Sequence, residues 1–358
     1  MSVKVAIWGS NISGGFLRST ADQAKDGSFA YNLRLAQLAD RLGVDAILFP
    51  TRYLGGLGGS DAAGGQLDSL TIVGALAAHT RQVHFISAVL PAFVPPVTLA
   101  KMGATLEQIT SGRWHVNLVS GWFQEEQEMF GIPWISHSER YRRSEEYLQV
   151  VKGLWQKEEF SFEGEHYQIR GGKMRPTPVQ KPYPAIFQGG NSQEAQEMAG
   201  KFSDWYFMNG ASIEELRPQM ERVSEIASRH HRRVRFAVNA FVIARETEKE
   251  AQEEFRYIVD HADVTAINKF KNYARGAAGM WSRAASISDF VANNEGFRTG
   301  LIGSYQQVRD KIRELQLAGV EMILTAFRYP VDELPLFFEH VLQKKLGAES
   351  CNAQEKRA

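Results

Sequence analysis

Eight apolar runs, interleaved with amphipathic stretches at helical spacing, restrict the fold of this chain more than any other feature. The runs read as strands at Val3–Trp8, Asp45–Phe49, Val83–Leu90, Trp114–Val119, Ala185–Gln188, Asp204–Met208, Arg235–Ala244 and Val320–Phe327. Helices are expected over Phe29–Leu42, Leu67–His79, Val97–Ile109, His137–Trp155, Gln193–Lys201, Ile213–His230, Thr247–His261 and Ser304–Ala318, with a closing helix over Asp332–Lys345. No composition break marks a linker, so the pattern implies an α/β fold, a (β/α)8 TIM barrel with loop insertions. Phe160–Ile169 alternates like a small hairpin around Glu163-Gly164-Glu165 and reads as an excursion from the barrel. Residues 262–300 break the rhythm and read as a long loop, the usual form of a lid or functional insertion. Residues 1–347 are thus expected to form one domain, and 348–358 a disordered tail.

The totals remove several function classes. The chain has 358 residues, 41 basic and 41 acidic. That balance argues against a nucleic-acid surface or a polybasic membrane patch. A single cysteine, Cys351, permits neither a disulfide framework nor a cysteine metal site, and fits the cytoplasm. The start, Met1-Ser2-Val3-Lys4, reads as the approach to a strand and lacks a signal-peptide pattern. No apolar run reaches membrane-spanning length.

In a barrel the chemistry sits at the C-terminal strand ends. The fourth strand ends in Asn117-Leu118-Val119-Ser120-Gly121-Trp122, which puts a carboxamide, donor and acceptor at once, at that rim. Gly189-Gly190-Asn191-Ser192 lies between a strand and a helix; free N–H groups there suit a phosphate, and the same residues also suit a plain N-cap. Arg140-Tyr141 at a helix start can clamp a phosphate or belong to a solvated charged face. Glu125, Glu126 and Glu128 form a charge cluster that is either solvated or holds a ligand N–H. The nine histidines are dispersed without ligand spacing, so no metal is expected. The glycines between Gly55 and Gly65 lack the Gly-Lys-Ser/Thr ending of a phosphate loop, and no Gly-x-Ser-x-Gly elbow occurs. Trp8, Trp122, Trp205, Phe241 and Phe327 fall near strand ends and together describe an aromatic, water-poor pocket for a planar group.

Those stretches, with Asn11-Ile12-Ser13-Gly14-Gly15, Ser138-Glu139-Arg140-Tyr141, Ser203-Asp204-Trp205-Tyr206 and Asn239-Ala240-Phe241, resemble the bacterial luciferase-like, FMN-dependent monooxygenases over about residues 3–345. The resemblance implies a two-component system in which a separate NAD(P)H:FMN reductase supplies reduced FMN, which then reacts with O2. It further implies flavin contacts from Thr51, Arg52, Ala88, Asn117, Glu126, Arg140, Tyr141, Gly190, Asn191 and Ser192. Substrate-side walls would come from Trp8, Asn11, Trp205, Asn239 and Phe241, with Asn117, Trp205 and Asn239 at the reacting centre. The alkanesulfonate-oxidising members carry an Arg and a His where this chain has Asn239 and Phe241. That departure favours a neutral organosulfur substrate, dimethylsulfone first, cleaved at its C–S bond to a sulfinate and an aldehyde. Arg52, Arg298 and Arg328 remain as alternative sources of charge. Asn191, where members often have Ser, is a second departure. The alternatives are a pyrimidine or other heterocycle or an alkanesulfonate as substrate, a deazaflavin-dependent dehydrogenase, and a non-catalytic flavin-binding protein. The family likeness also implies a homo-oligomer, dimer or tetramer. The length and glycine-rich segment of residues 262–300 point to a lid over the flavin bearing Arg275 and Arg298, with a purely structural surface insertion as the alternative.

Overall fold

The computed structural model describes residues 3–54, 65–274 and 284–344. Eight strands close into a parallel barrel: β1 Lys4–Trp8, β2 Ala46–Phe49, β3 His84–Val89, β4 Trp114–Leu118, β5 Ile186–Gly189, β6 Trp205–Met208, β7 Arg235–Phe241 and β8 Met322–Ala326. Each strand pairs with its neighbours in chain order, and β8 closes on β1 through Lys4 opposite Met322. The barrel is therefore as expected.

Because side chains alternate along a strand, one residue in two points inward. Ala6, Ala46, Leu48, Ile86, Phe187, Trp205, Phe207, Ala237, Met322 and Leu324 form the inner core. Their strand neighbours, such as Val5, Ile47, Phe85, Val116, Tyr206 and Ile323, pack outward against the helices in the larger core. The helices start and stop where local chemistry dictates. Ser28 caps Phe29–Leu42 by accepting from the Tyr31 N–H, and Gly43 ends it at φ 72°, a left-handed conformation that favours glycine.

Several expectations need correction. The second helix spans only Thr71–Ala77, because the Asp68 carboxylate accepts from the Leu70 and Thr71 N–H groups and fixes its start there. Residues read as a polar loop after Trp122 include a short helix, Gln124–Met129. The seventh strand leaves the barrel after Phe241; Ile243–Arg245 pairs instead with Ile302–Ser304 outside it. The closing helix spans Pro330–Leu336 and continues as a π-helical turn, Phe337–Val341.

The insertion is not the structureless loop expected. It folds as helices Val264–Tyr273 and Ile287–Val291 and a kinked 3-10 segment Asn293–Thr299. Asp263 and Ser286 cap the two helices. The insertion carries its own apolar cluster, in which Phe270, Phe290 and Phe297 pack with Phe16, Leu17 and Phe241. The glycine-rich stretch 55–64, Arg275 and the C-terminal tail lie outside the described residues.

Candidate active site

The inward residues at the C-terminal strand ends do not meet, and a cavity of about 1200 Å³, open mouth included, remains above them. Trp8, Leu48, Ala88, Asn117, Gly189, Asn239 and Leu324 line it from the strands. Phe16, Arg18, Trp122, Phe270, Asn293 and Asn294 line it from loops and the insertion. The wall is mainly apolar, with few polar groups, as small-molecule sites are.

One side is built from β2 to β5. Asn117 is 9% exposed, and its Oδ1 is buried without a hydrogen-bond partner. Thr51 donates to the Ala88 carbonyl, which also accepts from Ser69 Oγ at 2.7 Å. Arg52 lies over the Trp122 ring at 4.8 Å and the Phe123 ring at 4.5 Å, with Glu126 at 3.7 Å. Its Nε and one terminal nitrogen have no hydrogen-bond partner. Burial lowers its pKa, and Glu126 opposes the shift. Glu126 also accepts from the Tyr53 and Leu54 N–H groups at 2.7 and 3.0 Å, so it pins the loop after β2.

At the end of β5 the chain passes through Gly190 at φ 128°. A Cβ there would stand 2.9 Å from the Tyr141 hydroxyl, so only glycine lets the two segments approach. Ser192 caps the helix Gln193–Phe202 by accepting from the Ala195 N–H. The Tyr141 phenol, buried beside Ser192, is pushed up to about 12. It stays protonated and able to donate at neutral pH. Gly190 faces the cavity; Tyr141, Asn191 and Ser192 stand beside it, not on the cavity wall.

The opposite side joins β7 to the insertion. Asn239 Oδ1 accepts from the Trp8 indole N–H at 2.7 Å. Its Nδ2 donates to the Asn293 and Asn294 carbonyls at 3.0 and 3.1 Å. The carboxamide is thus spent on fastening the insertion to the barrel. Arg18 donates to the Phe290 carbonyl at 2.8 Å and to Asn293 Oδ1 at 2.7 Å, under the Phe270 ring at 3.5 Å. Burial, then the Arg52 charge, pushes Arg18 down to about 9, which leaves it cationic at neutral pH.

Of the residues singled out from sequence, Trp8, Thr51, Arg52, Ala88, Asn117, Glu126, Gly190 and Asn239 come together on the cavity wall. Four others do not. Trp205 opens β6 and therefore points into the layer below, stacked on Phe187 at 5.4 Å; Phe207, two residues later, reaches the cavity. Asn11 is fully buried and donates to the Pro50 and Leu67 carbonyls, tying two loops. Phe241 is covered edge-on by Phe297 at 5.1 Å. Arg140 lies on the Trp134 ring at 3.9 Å and donates to the Gly121 and Ile135 carbonyls, bracing the loop after β4 from behind.

Arg298 bonds Glu215 and Glu295 at 2.6 and 2.8 Å, and Arg328 faces Glu254 at 3.5 Å, so neither charge is directed at the cavity. Arg18 and Asn293 are the functional candidates that sequence reasoning missed. Arg18 sits in a stretch with no strand or helix periodicity, and Asn293 lies inside the supposed loop.

Among the described residues, one cluster has metal-ligand types, Glu139, Glu165 and His166. It joins the helix His137–Gln156, which carries Glu139, to the turn of the outer hairpin, which carries Glu165 and His166, and Arg142 pairs with both carboxylates. No described helix is long and apolar enough to cross a membrane.

The family model for luciferase-like monooxygenases matches residues 13–322. The chain is 40% identical over 363 residues to the FMNH(2)-dependent dimethylsulfone monooxygenase of Pseudomonas putida, covering 99% of this chain and 98% of the relative. The enzyme of the same description from Pseudomonas fluorescens (strain Pf0-1) is 40% identical over 362 residues, with 99% and 98% covered. Among solved structures, DmoA from Hyphomicrobium sulfonivorans superposes with a TM-score of 0.80 at 17% identity, covering 96% of this chain and 88% of that one. The long-chain alkane monooxygenase LadA gives 0.81 at 18%, covering 96% and 91%. At such identities these two structures speak for the fold alone. The matched family model and the near-full-length relatives carry the assignment further: this chain belongs to the luciferase-like monooxygenase family.

Proposed function

We propose that the protein is the oxygenase of a two-component system. With reduced FMN and O2 it cleaves a C–S bond of a small neutral sulfone, dimethylsulfone first, to methanesulfinate and formaldehyde, with FMN and water as the other products. The observation that carries the reading is 40% identity over nearly the whole length of two FMNH(2)-dependent dimethylsulfone monooxygenases. The cavity supports it, because its unpaired buried groups suit a flavin. Asn117 Oδ1 is an acceptor awaiting an N–H, and Arg52 has donors awaiting an oxygen. The Ser192-capped helix start, with the Tyr141 hydroxyl beside it, is suited to the phosphate. The bound flavin would supply the reducing equivalents and the activation of O2.

The chain's own residues do the rest. Thr51, Arg52, Ala88, Asn117 and Gly190 hold the cofactor, with Tyr141, Asn191 and Ser192 at its phosphate end. Glu126 acts indirectly, by fixing the Arg52 loop. Trp8, Phe16, Trp122 and Phe207 exclude water from the reacting centre. The absence of a free cation on β7, with Asn239 spent on structure, supports a neutral substrate over a sulfonate. The reading includes one catalytic domain over residues 1–347, a cytoplasmic setting, an NAD(P)H:FMN reductase as partner, and a homo-oligomer.

The test is anaerobic titration with reduced FMN, then mixing with O2 and dimethylsulfone, methanesulfonate, longer alkanesulfonates or uracil. Formaldehyde and methanesulfinate from the sulfone are expected. Sulfite from the sulfonates with no turnover of the sulfone would overturn the substrate. Failure to bind reduced FMN would overturn the class.

A further inference from the structure

We infer that Asn293 recognises the substrate's acceptor oxygen through its Nδ2 group, and that Arg18 is the positioning residue that orients and polarises it. The inference rests on the sulfone reading and names the contact by which a sulfone would be selected. It begins with backbone strain. Asn294 and Glu295 adopt φ 50° and 55°, a left-handed pair inside a 3-10 segment and in non-glycine residues. Such a kink persists only if its surroundings over-determine it, and here they do. The Asn294 carbonyl accepts from the Gly210 N–H at 2.9 Å, and the Asn293 N–H donates to the Phe16 carbonyl at 3.1 Å. Asn209 donates to the Glu295 carboxylate at 3.0 Å, and Asn239 holds the carbonyls of both asparagines. These contacts fix the backbone of Asn293, a residue of the cavity wall.

Its orientation follows from chemistry. A guanidinium only donates, so the atom 2.7 Å from Arg18 must be the amide oxygen. The NH2 group is therefore turned away from Arg18, and Nδ2 is buried with no hydrogen-bond partner among the described residues. A buried donor left open is costly unless a ligand meets it. The cation on its oxygen strengthens that donor, as hydrogen bonds in series do. Arg18 itself is turned to the Phe290 carbonyl and the Phe270 ring. The substrate then meets a neutral, polarised N–H donor rather than an open charge. Sulfonyl oxygens accept and never donate, and on a sulfone they carry no net charge, so they match it.

The test measures dimethylsulfone binding to enzyme loaded anaerobically with reduced FMN, by quenching of tryptophan fluorescence, together with the Kd for reduced FMN and Tm. Asn293→Asp keeps the shape and the Arg18 contact but replaces the donor with an acceptor. It is expected to raise the sulfone Kd at least about tenfold, the scale of one lost hydrogen bond, with Tm held and the FMN Kd within about twofold. Arg18→Lys is expected to raise the sulfone Kd several-fold and to show it in KM rather than kcat. Sulfone binding by Asn293→Asp equal to that of the wild type would overturn the inference alone. Failure of the wild type to bind the sulfone while binding reduced FMN would overturn the substrate reading, and the sulfonyl contact with it.

Discussion

The two walls of the cavity differ in how their polar groups are satisfied. On the β2–β5 side, Asn117 Oδ1 and two nitrogens of Arg52 are buried with no hydrogen-bond partner, although Arg52 Nε faces Glu126 at 3.7 Å. On the β7 and insertion side, both ends of the Asn239 carboxamide are bonded, and Glu295 is held by Asn209 and Arg298. Buried polar groups are nearly always paired, so an unpaired cluster marks where a ligand completes the structure. The first wall is a socket and the second a frame. The frame leaves one donor open, on Asn293. The first wall carries the open groups proposed to take the cofactor, and the second the single donor proposed to take the substrate.

Breaking the frame should have the largest effect. Asn239→Ala removes the partner of the Trp8 indole and of the Asn293 and Asn294 carbonyls. At ~1 kcal/mol for each hydrogen bond, the ligand-free protein should lose ~3 kcal/mol of stability in urea titration. Breaking the socket should do the reverse. Asn117→Ala deletes an oxygen that no protein group uses, so the ligand-free protein should keep its Tm. Reduced-FMN affinity should fall ~10-fold or more, equivalent to ~1.4 kcal/mol or more. If the Asn117 variant lost stability and kept its flavin affinity, the socket and frame distinction would collapse.

This contrast was only partly legible in the sequence. Period-two alternation carries Trp8, Ala88, Asn117 and Asn239 to the inside of the barrel, and apolar runs with helical spacing between them fix the barrel itself. What alternation does not carry is depth. Trp205 has the right phase and the wrong layer, because β6 starts at that residue. Phe241 has the right strand and is covered by Phe297, a contact made by a segment whose fold has no strong period. Arg18 and Asn293 find each other across 275 positions of chain. Neither has a local signature, since a lone arginine in an irregular stretch is usually a surface residue. The unpaired state of Asn117, the best mark of the socket, is a property of the folded molecule alone.

Beneath the socket, on the same strand as Asn117, His115 offers a way to separate the cavity from the barrel floor. Its Nε2 lies 3.0 Å from His84 Nδ1, with the rings parallel. Burial, then the charges of His84 and Lys4, pushes His115 down to about 3. The unfolded chain titrates near 6.5, so between these values it binds the extra proton and the folded protein does not. Stability is therefore full above pH 6.5 and falls on acidification, by up to ~1.4 kcal/mol per pH unit for this group. His115→Gln should flatten that slope in urea titrations from pH 7 to 4.5. A slope unchanged in the variant would assign the acid sensitivity elsewhere.

The smallest effect is expected one layer down, at Trp205, and it bears most directly on depth. Trp205 stacks on Phe187 and lies under the Arg235 guanidinium at 5.3 Å, at the end of the barrel away from the cavity. Trp205→Phe keeps an aromatic ring on Phe187 and removes part of the buried indole. Large-to-small changes in a packed interior leave a residual cavity, here small, so a cost of ~1 kcal/mol is expected in urea titration. Turnover and reduced-FMN affinity should stay within about twofold of the wild type, because Phe207 and not Trp205 lines the cavity. A large loss of turnover with stability held would return Trp205 to the reacting centre. It would also mean that the floor layer moves toward the cavity when the cofactor binds.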